Sequence, residues 1–228
     1  VKKNIVDAIK NYEELNFRTA GNHVVFEIPN ALRWYMRRVG KIENANKKVL
    51  KEALEKTVKI LTPIAPHFCE EMWQLLGNKE FVAMEKIESE KHDDSYEKGE
   101  ELVQQVANDI EEIKKLVKGK MKKAIIFVAD EWKFNAYKMK EEGKDGKIII
   151  KEIVSRNKDS GKEIASFVLS LKETIPIVDK KDQQEILTDA KKFLTDSTGL
   201  EIEILYSAES KDRKAKSASP IKPGISLE

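Results

Sequence analysis

Three clusters of side chains have types and spacing that could do chemistry. The first is His67-Phe68-Cys69-Glu70-Glu71, an imidazole, a thiol and two carboxylates within five residues. Such a set suits a nucleophile or a metal only with a further partner to orient it, and none stands nearby. The plainer expectation packs His67 and Cys69 among helices, with Glu70 and Glu71 complementing a helix N-terminus. The second cluster is Arg33, Arg37 and Lys41, four apart, with Arg38 alongside. On a helix these make one ridge, able to grip a phosphodiester backbone through bidentate contacts. An ordinary solvated face has the same spacing. The chain holds six arginines among its 42 basic residues, however, and three of the six lie here. The third cluster is Lys211, Arg213, Lys214, Lys216 and Lys222, set against Asp212 alone. Lysines on open backbone suit the phosphates of a nucleic acid, and equally a solubilising terminus.

Several chemistries have no residues to serve them. His23, His67 and His92 show no metal-ligand spacing. Glycine-rich phosphate loops, nucleophile elbows and dinucleotide fingerprints are missing. No catalytic residue, metal or cofactor is therefore expected in this chain. The single Cys69 cannot form an internal disulfide or supply a zinc ribbon. No apolar run is long enough to cross a membrane as a helix, so a soluble cytoplasmic monomer is expected. The formal net charge is +2 with 36% charged residues, so any polyanion site must be a local patch. The opening Val1 already lies in a helical pattern, which reads as part of something longer.

The elements that must position these clusters follow from periodicity. Among 228 residues there are 10 glycines and 6 prolines, few breakers for the length. Residues 1–118 read as five helices in an antiparallel bundle. The expected spans are 4–18, 23–39, 44–61, 62–76 and 99–118. Ala20-Gly21-Asn22 breaks the first from the second, Pro29 kinks the second, and Thr62-Pro63 caps the fourth. On the fifth, Val103, Val106, Ile110, Ile113 and Val117 form a narrow seam suited to lying along the bundle.

From 119 the pattern changes. Ala124–Ala129 reads as a buried strand and Leu200–Tyr206 as a half-buried one. Helices are expected near 131–141, 145–157, 160–172 and 182–197. The fold class is thus mainly α with a small α+β part over 119–207. Residues 119–228 carry 22 basic and 19 acidic side chains, a net +3. Residues 208–228, with Pro220 and Pro223, are expected to form a basic extended tail.

Two stretches resemble a known family. Thr62-Pro63-Ile64-Ala65-Pro66-His67-Phe68-Cys69-Glu70-Glu71-Met72-Trp73, followed by Leu75-Leu76-Gly77, is similar to a signature in the anticodon-binding-type bundle of class I aminoacyl-tRNA synthetases. Ala31-Leu32-Arg33-Trp34-Tyr35-Met36-Arg37-Arg38 resembles that bundle in archaeal-type leucyl-tRNA synthetases, and Lys214–Pro223 looks like the end of their last domain. The resemblance implies a non-catalytic, tRNA-binding piece of an enzyme that would ligate leucine to its tRNA using ATP and magnesium. The catalytic motifs His-Ile-Gly-His and Lys-Met-Ser-Lys-Ser do not occur here. Its partners would be tRNA(Leu) and the catalytic and editing domains of the same polypeptide. The bundle, through Arg33, Arg37, Arg38 and Lys41, would support the tRNA body. Residues 211–226 would meet the long variable arm. Lys211, Arg213, Lys214, Lys216 and Lys222 would lie on its backbone, and Ser219 and Ile225 on its bases.

Other readings stay open. The same region of a valyl, isoleucyl or methionyl enzyme is one. A helical scaffold binding protein partners through the 103–117 seam is another, and a stand-alone enzyme using His67 a third.

Overall fold

A computed structural model describes residues 1–87, 94–117, 119–157, 161–171 and 177–228. They fall into two units, 1–93 and 94–228. The first unit begins with α1 (Lys2–Glu13), whose buried face carries Ile5 and Ala8. α1 ends where Asn16 N–H donates to Asn11 O (2.7 Å) and Leu15 N–H to Tyr12 O (3.0 Å). These two bonds close a Schellman turn, with Leu15 in the left-handed region at φ 58°, a position glycine usually holds. The break expected at Ala20-Gly21-Asn22 is thus displaced to 14–16. Helix α2 (Phe17–Asn22) runs through Gly21, which lies against Ile64, so tertiary packing overrides its low propensity.

A π turn at His23–Glu27 joins α2 to α3 (Ile28–Val39) without interruption. There Ile28 N–H reaches His23 O, five residues back. Pro29 brings no N–H, and its ring would press on the carbonyl four residues earlier. The wider π turn ahead of it makes that room. Helix α4 (Lys47–Leu61) starts at its cap, where Asn46 Oδ1 accepts from Lys48 N–H (3.1 Å) and Val49 N–H (3.2 Å). Helix α5 (Pro66–Leu75) opens on Pro66 rather than on Pro63. The reason is Thr62: its hydroxyl donates back to Val58 O (2.9 Å), finishing α4 instead of capping α5. Two apolar groups hold the unit. Ile5, Ala8, Val24, Ile28 and Ile60 form one; Val58, Cys69, Trp73 and Val82 form the other.

The second unit is built on a three-stranded mixed sheet. Strand β1 (Lys123–Val128) lies between β2 (Glu201–Tyr206) and β3 (Gly224–Leu227). It runs parallel to β2, with Ile126 beside Ile204, and antiparallel to β3, with Ile126 beside Ile225. Ala124 through Val128 are all buried, as the unbroken apolar run predicts for a central strand. Helix α6 (Asp94–Leu116) packs on α10 (Lys180–Thr198) and β3. Between β1 and β2 stand α7 (Glu131–Glu141), α8 (Gly146–Arg156), α9 (Gly161–Ser170) and α10. Helices α7–α9 share a core of Trp132, Ala136, Met139, Ile149, Ile153, Ile164 and Val168. Trp132 meets Phe167 edge-on, ring centres 5.4 Å apart.

The seam of Val103, Val106 and Ile110 is buried, and α6 falls in the second of the two compact units, which divide at 93/94. A narrow seam specifies that a helix is covered, not by what. One expectation needs correction: the stretch 208–228 is not an extended tail. It folds into a short helix α11 (Arg213–Ser217) and the strand β3, burying Ala215, Ala218 and Ile225. Pro220 and Pro223 serve as punctuation between α11 and the strand, and the sheet supplies the hydrogen bonds that an isolated segment would lack.

Candidate nucleic-acid interface

Two basic surfaces are built, one in each unit. On α3, Arg33 and Arg37 are exposed on one ridge. The Arg33 guanidinium donates to Asn30 Oδ1, and that of Arg37 lies 5.7 Å from the Trp34 ring centre. Gly40, at φ 75°, closes the helix by donating to Met36 O (3.1 Å). Lys41 therefore stands in extended backbone beyond the helix end instead of continuing the ridge. It is exposed, while Arg38 is half-buried. The paired planar cations next to an indole suit a phosphate backbone with adjacent stacking.

In the second unit, Lys211, Arg213, Lys214 and Lys216 are all exposed around α11. Asp212 starts this helix, its carboxylate accepting from Lys214 N–H (2.7 Å). That bond and one from the Ser226 hydroxyl hold the carboxyl below its ordinary value, so the cap also ties α11 to β3. The other residues expected to touch RNA are committed elsewhere. Lys222 pairs with Asp109 of α6, Nζ at 3.0 Å from Oδ2. The Ser219 hydroxyl accepts from Lys222 N–H (3.1 Å) within its own tight turn. Ile225 is 5% exposed and faces the core, because strand alternation turns it inward beside Ile126. Of the three, Ile225 is the one turned away from solvent, while the Lys222 side chain stays exposed within its ion pair.

The histidine cluster resolves into separate jobs. Cys69 is fully buried, and burial pushes its thiol pKa up, away from the thiolate a nucleophile needs. His67 is exposed instead of packed, since it falls on the outer side of α5's first turn. Glu70 caps not its own helix but the turn at Val82–Met84, accepting from Val82 N–H (3.0 Å) and Ala83 N–H (3.2 Å). His92 lies outside the described residues, and among the described residues no trio of His, Cys, Asp and Glu could hold a metal. Nor, among them, is any helix long and apolar enough to cross a membrane.

Residues 1–130 match the family model of the anticodon-binding domain of tRNA ligases. The chain belongs to that family. This anticodon-binding domain protein is also similar along its whole length to curated archaeal proteins, each named leucine–tRNA ligase. It is 37% identical to that of Methanocaldococcus jannaschii over 97% of the chain. The corresponding figures are 34% over 100% for Pyrococcus horikoshii and 35% over 99% for Pyrococcus furiosus. The chain spans 24% of the length of each of these relatives.

Sequence reasoning missed the residues that hold the anticodon-binding protein's second basic surface in place. Lys133, on α7, is 3% exposed, and its ammonium donates to Lys216 O (2.5 Å) and Ala218 O (2.9 Å). Gln183, on α10, is 1% exposed and donates to Pro220 O (2.6 Å). Nothing local identifies their partners, which lie 83, 85 and 37 positions away. The available signal was a lysine between Trp132 and Phe134, where a solvated side chain does not fit the surrounding apolar pattern.

Proposed function

We propose that this chain is the tRNA-binding part of a leucine–tRNA ligase. The first unit docks the tRNA body, and the second recognises the long variable arm of tRNA(Leu). One observation carries the second half: four exposed cations, Lys211, Arg213, Lys214 and Lys216, gather on a segment whose backbone is fixed from beneath. Cations on a rigid frame fit the phosphates of a stem end, where neighbouring unpaired bases can be read. Arg33 and Arg37 form the corresponding surface for the tRNA body. In this reading, leucine activation with ATP and magnesium belongs to catalytic and editing domains elsewhere in the polypeptide, in the cytoplasm.

The scaffold alternative loses its proposed surface, because the middle of the α6 seam is covered by its own unit. Binding is tested with leucine tRNA, the same tRNA lacking its variable arm, and serine tRNA, at two salt concentrations. Loss of affinity without the arm, together with discrimination against serine tRNA, is the expected result. Equal affinity for all three would reduce the second surface to generic phosphate contact. Lys214→Ala with Lys216→Ala should flatten the salt dependence by about 0.7–0.9 per lost contact.

A further inference from the structure

Lys133 is a buried cation in a place where burial is expensive. Its ammonium lies 5.4 Å from the Trp132 ring centre and 5.7 Å from that of Phe167, in the apolar core of α7–α9. Glu163 on α9 is partly exposed and forms a loose ion pair with it at 3.7 Å, longer than a charge-assisted hydrogen bond. What the ammonium does meet at hydrogen-bond distance are two backbone carbonyls at the end of α11, those of Lys216 and Ala218. A helix end leaves such carbonyls unpaired, and a cation there satisfies both the lone pairs and the local negative potential. Two residues on, Gln183 fixes Pro220 O from α10. The backbone from 216 to 220 is thus held from two helices, while the side chains of Arg213, Lys214 and Lys216 remain outside.

We propose that Lys133 is a positioning residue for RNA binding. By clamping the carbonyls of Lys216 and Ala218, it presents the α11 cations already arranged for phosphate, so RNA does not have to order them on arrival. This rests on the reading that α11 meets tRNA. Lys133 itself touches no RNA, because it lies beneath the backbone that carries those cations.

The test compares tRNA(Leu) binding across a salt series for the wild-type chain, Lys133→Met, and Lys214→Ala with Lys216→Ala. Lys133→Met keeps the length of the side chain and removes its donors. The expected result is affinity roughly tenfold weaker, the size set by losing charge-assisted bonds, with the salt slope unchanged. The double alanine variant should instead lower the slope by about 1.4–1.8. Wild-type affinity in Lys133→Met overturns this proposal and leaves tRNA binding standing. A slope lowered by about 0.7–0.9 in that variant also overturns it, by making Lys133 a phosphate ligand. A wild-type chain that binds no tRNA overturns both readings. Should Lys133→Met not fold, the side-chain nitrogen resonance of Lys133 in the wild-type chain decides. An ammonium signal protected from water exchange before RNA is added, and unmoved by it, is expected. A signal that gains protection only with RNA shows a segment ordered on binding, and refutes the clamp.

Discussion

Gly224→Ala isolates the fit between α11 and the sheet. Gly224 is the first residue of β3, and its φ is not in the left-handed region. Its backbone therefore accepts alanine without strain. On conformational grounds alone the substitution would stabilise the fold by about 0.4–1 kcal/mol, since alanine restricts the unfolded chain. The structure reverses that sign. A Cβ on Gly224 would collide with the carbonyl oxygen of Lys214, sit 3.0 Å from the carbonyl carbon, and lie 3.4 Å from Ala218 Cβ. The obstacle is backbone, and the carbonyls just beyond it are anchored by Lys133, so it cannot swing aside as a flexible side chain would. Overpacking of this kind costs about 1–3 kcal/mol. The melting temperature should fall by roughly 3–10 °C. Amide exchange should accelerate at Lys123 and Glu228, whose N–H groups donate to each other's carbonyls across β1 and β3. Thermal unfolding followed by circular dichroism, with exchange read by mass spectrometry, measures both. A melting temperature equal to or above that of the wild type would refute the close approach of α11 to β3.

Two further outcomes are expected. Leu15→Gly should stabilise the first unit by about 0.5–1 kcal/mol, because Leu15 holds a left-handed backbone and is 74% exposed, burying little; a urea midpoint that does not rise would count against the turn. Burial holds the Lys133 ammonium below its ordinary pKa of 10.5, against the opposing pull of Glu163 and Asp130. The folded chain therefore sheds this proton at lower pH than the unfolded chain, and stability rises with pH through that window. Wild type should gain on Lys133→Met as pH climbs toward 10.5, by at most about 1.4 kcal/mol per unit, and parallel stability curves for the two would refute the burial of a charged lysine.

How far the sequence reaches depends on the range of the contacts involved. Helix α7 falls at its expected span of 131–141, and β1 within a residue of its own, because each has a strong local period. Helix α4 ends at its expected 61 but starts at Lys47, three residues after the expected 44. The end of α1 was not legible, since leucine at a left-handed position has no propensity to announce it. Residues 208–228 were misread because five cations and two prolines describe a solvated terminus equally well. What makes them a strand is β1, roughly a hundred residues earlier. The same holds at the site. Arg213, Lys214 and Lys216 could be named from composition, whereas the commitments of Lys222 to Asp109 and Ser219 to its own turn are set by folding.

The order of strands also carries a consequence for synthesis. Ile126 pairs with Ile204 and Ile225, partners 78 and 99 residues further along the chain. An unusually apolar central strand thus leaves the ribosome long before either neighbour exists, with both of its edges open. During those seconds of elongation, α7, α8 and α9 can close their shared core on local contacts alone. Helix α10, made after them and before β2, then packs on the nascent strand. Gly224–Leu227, the last of the three strands to be made, are the residues that seal its second edge.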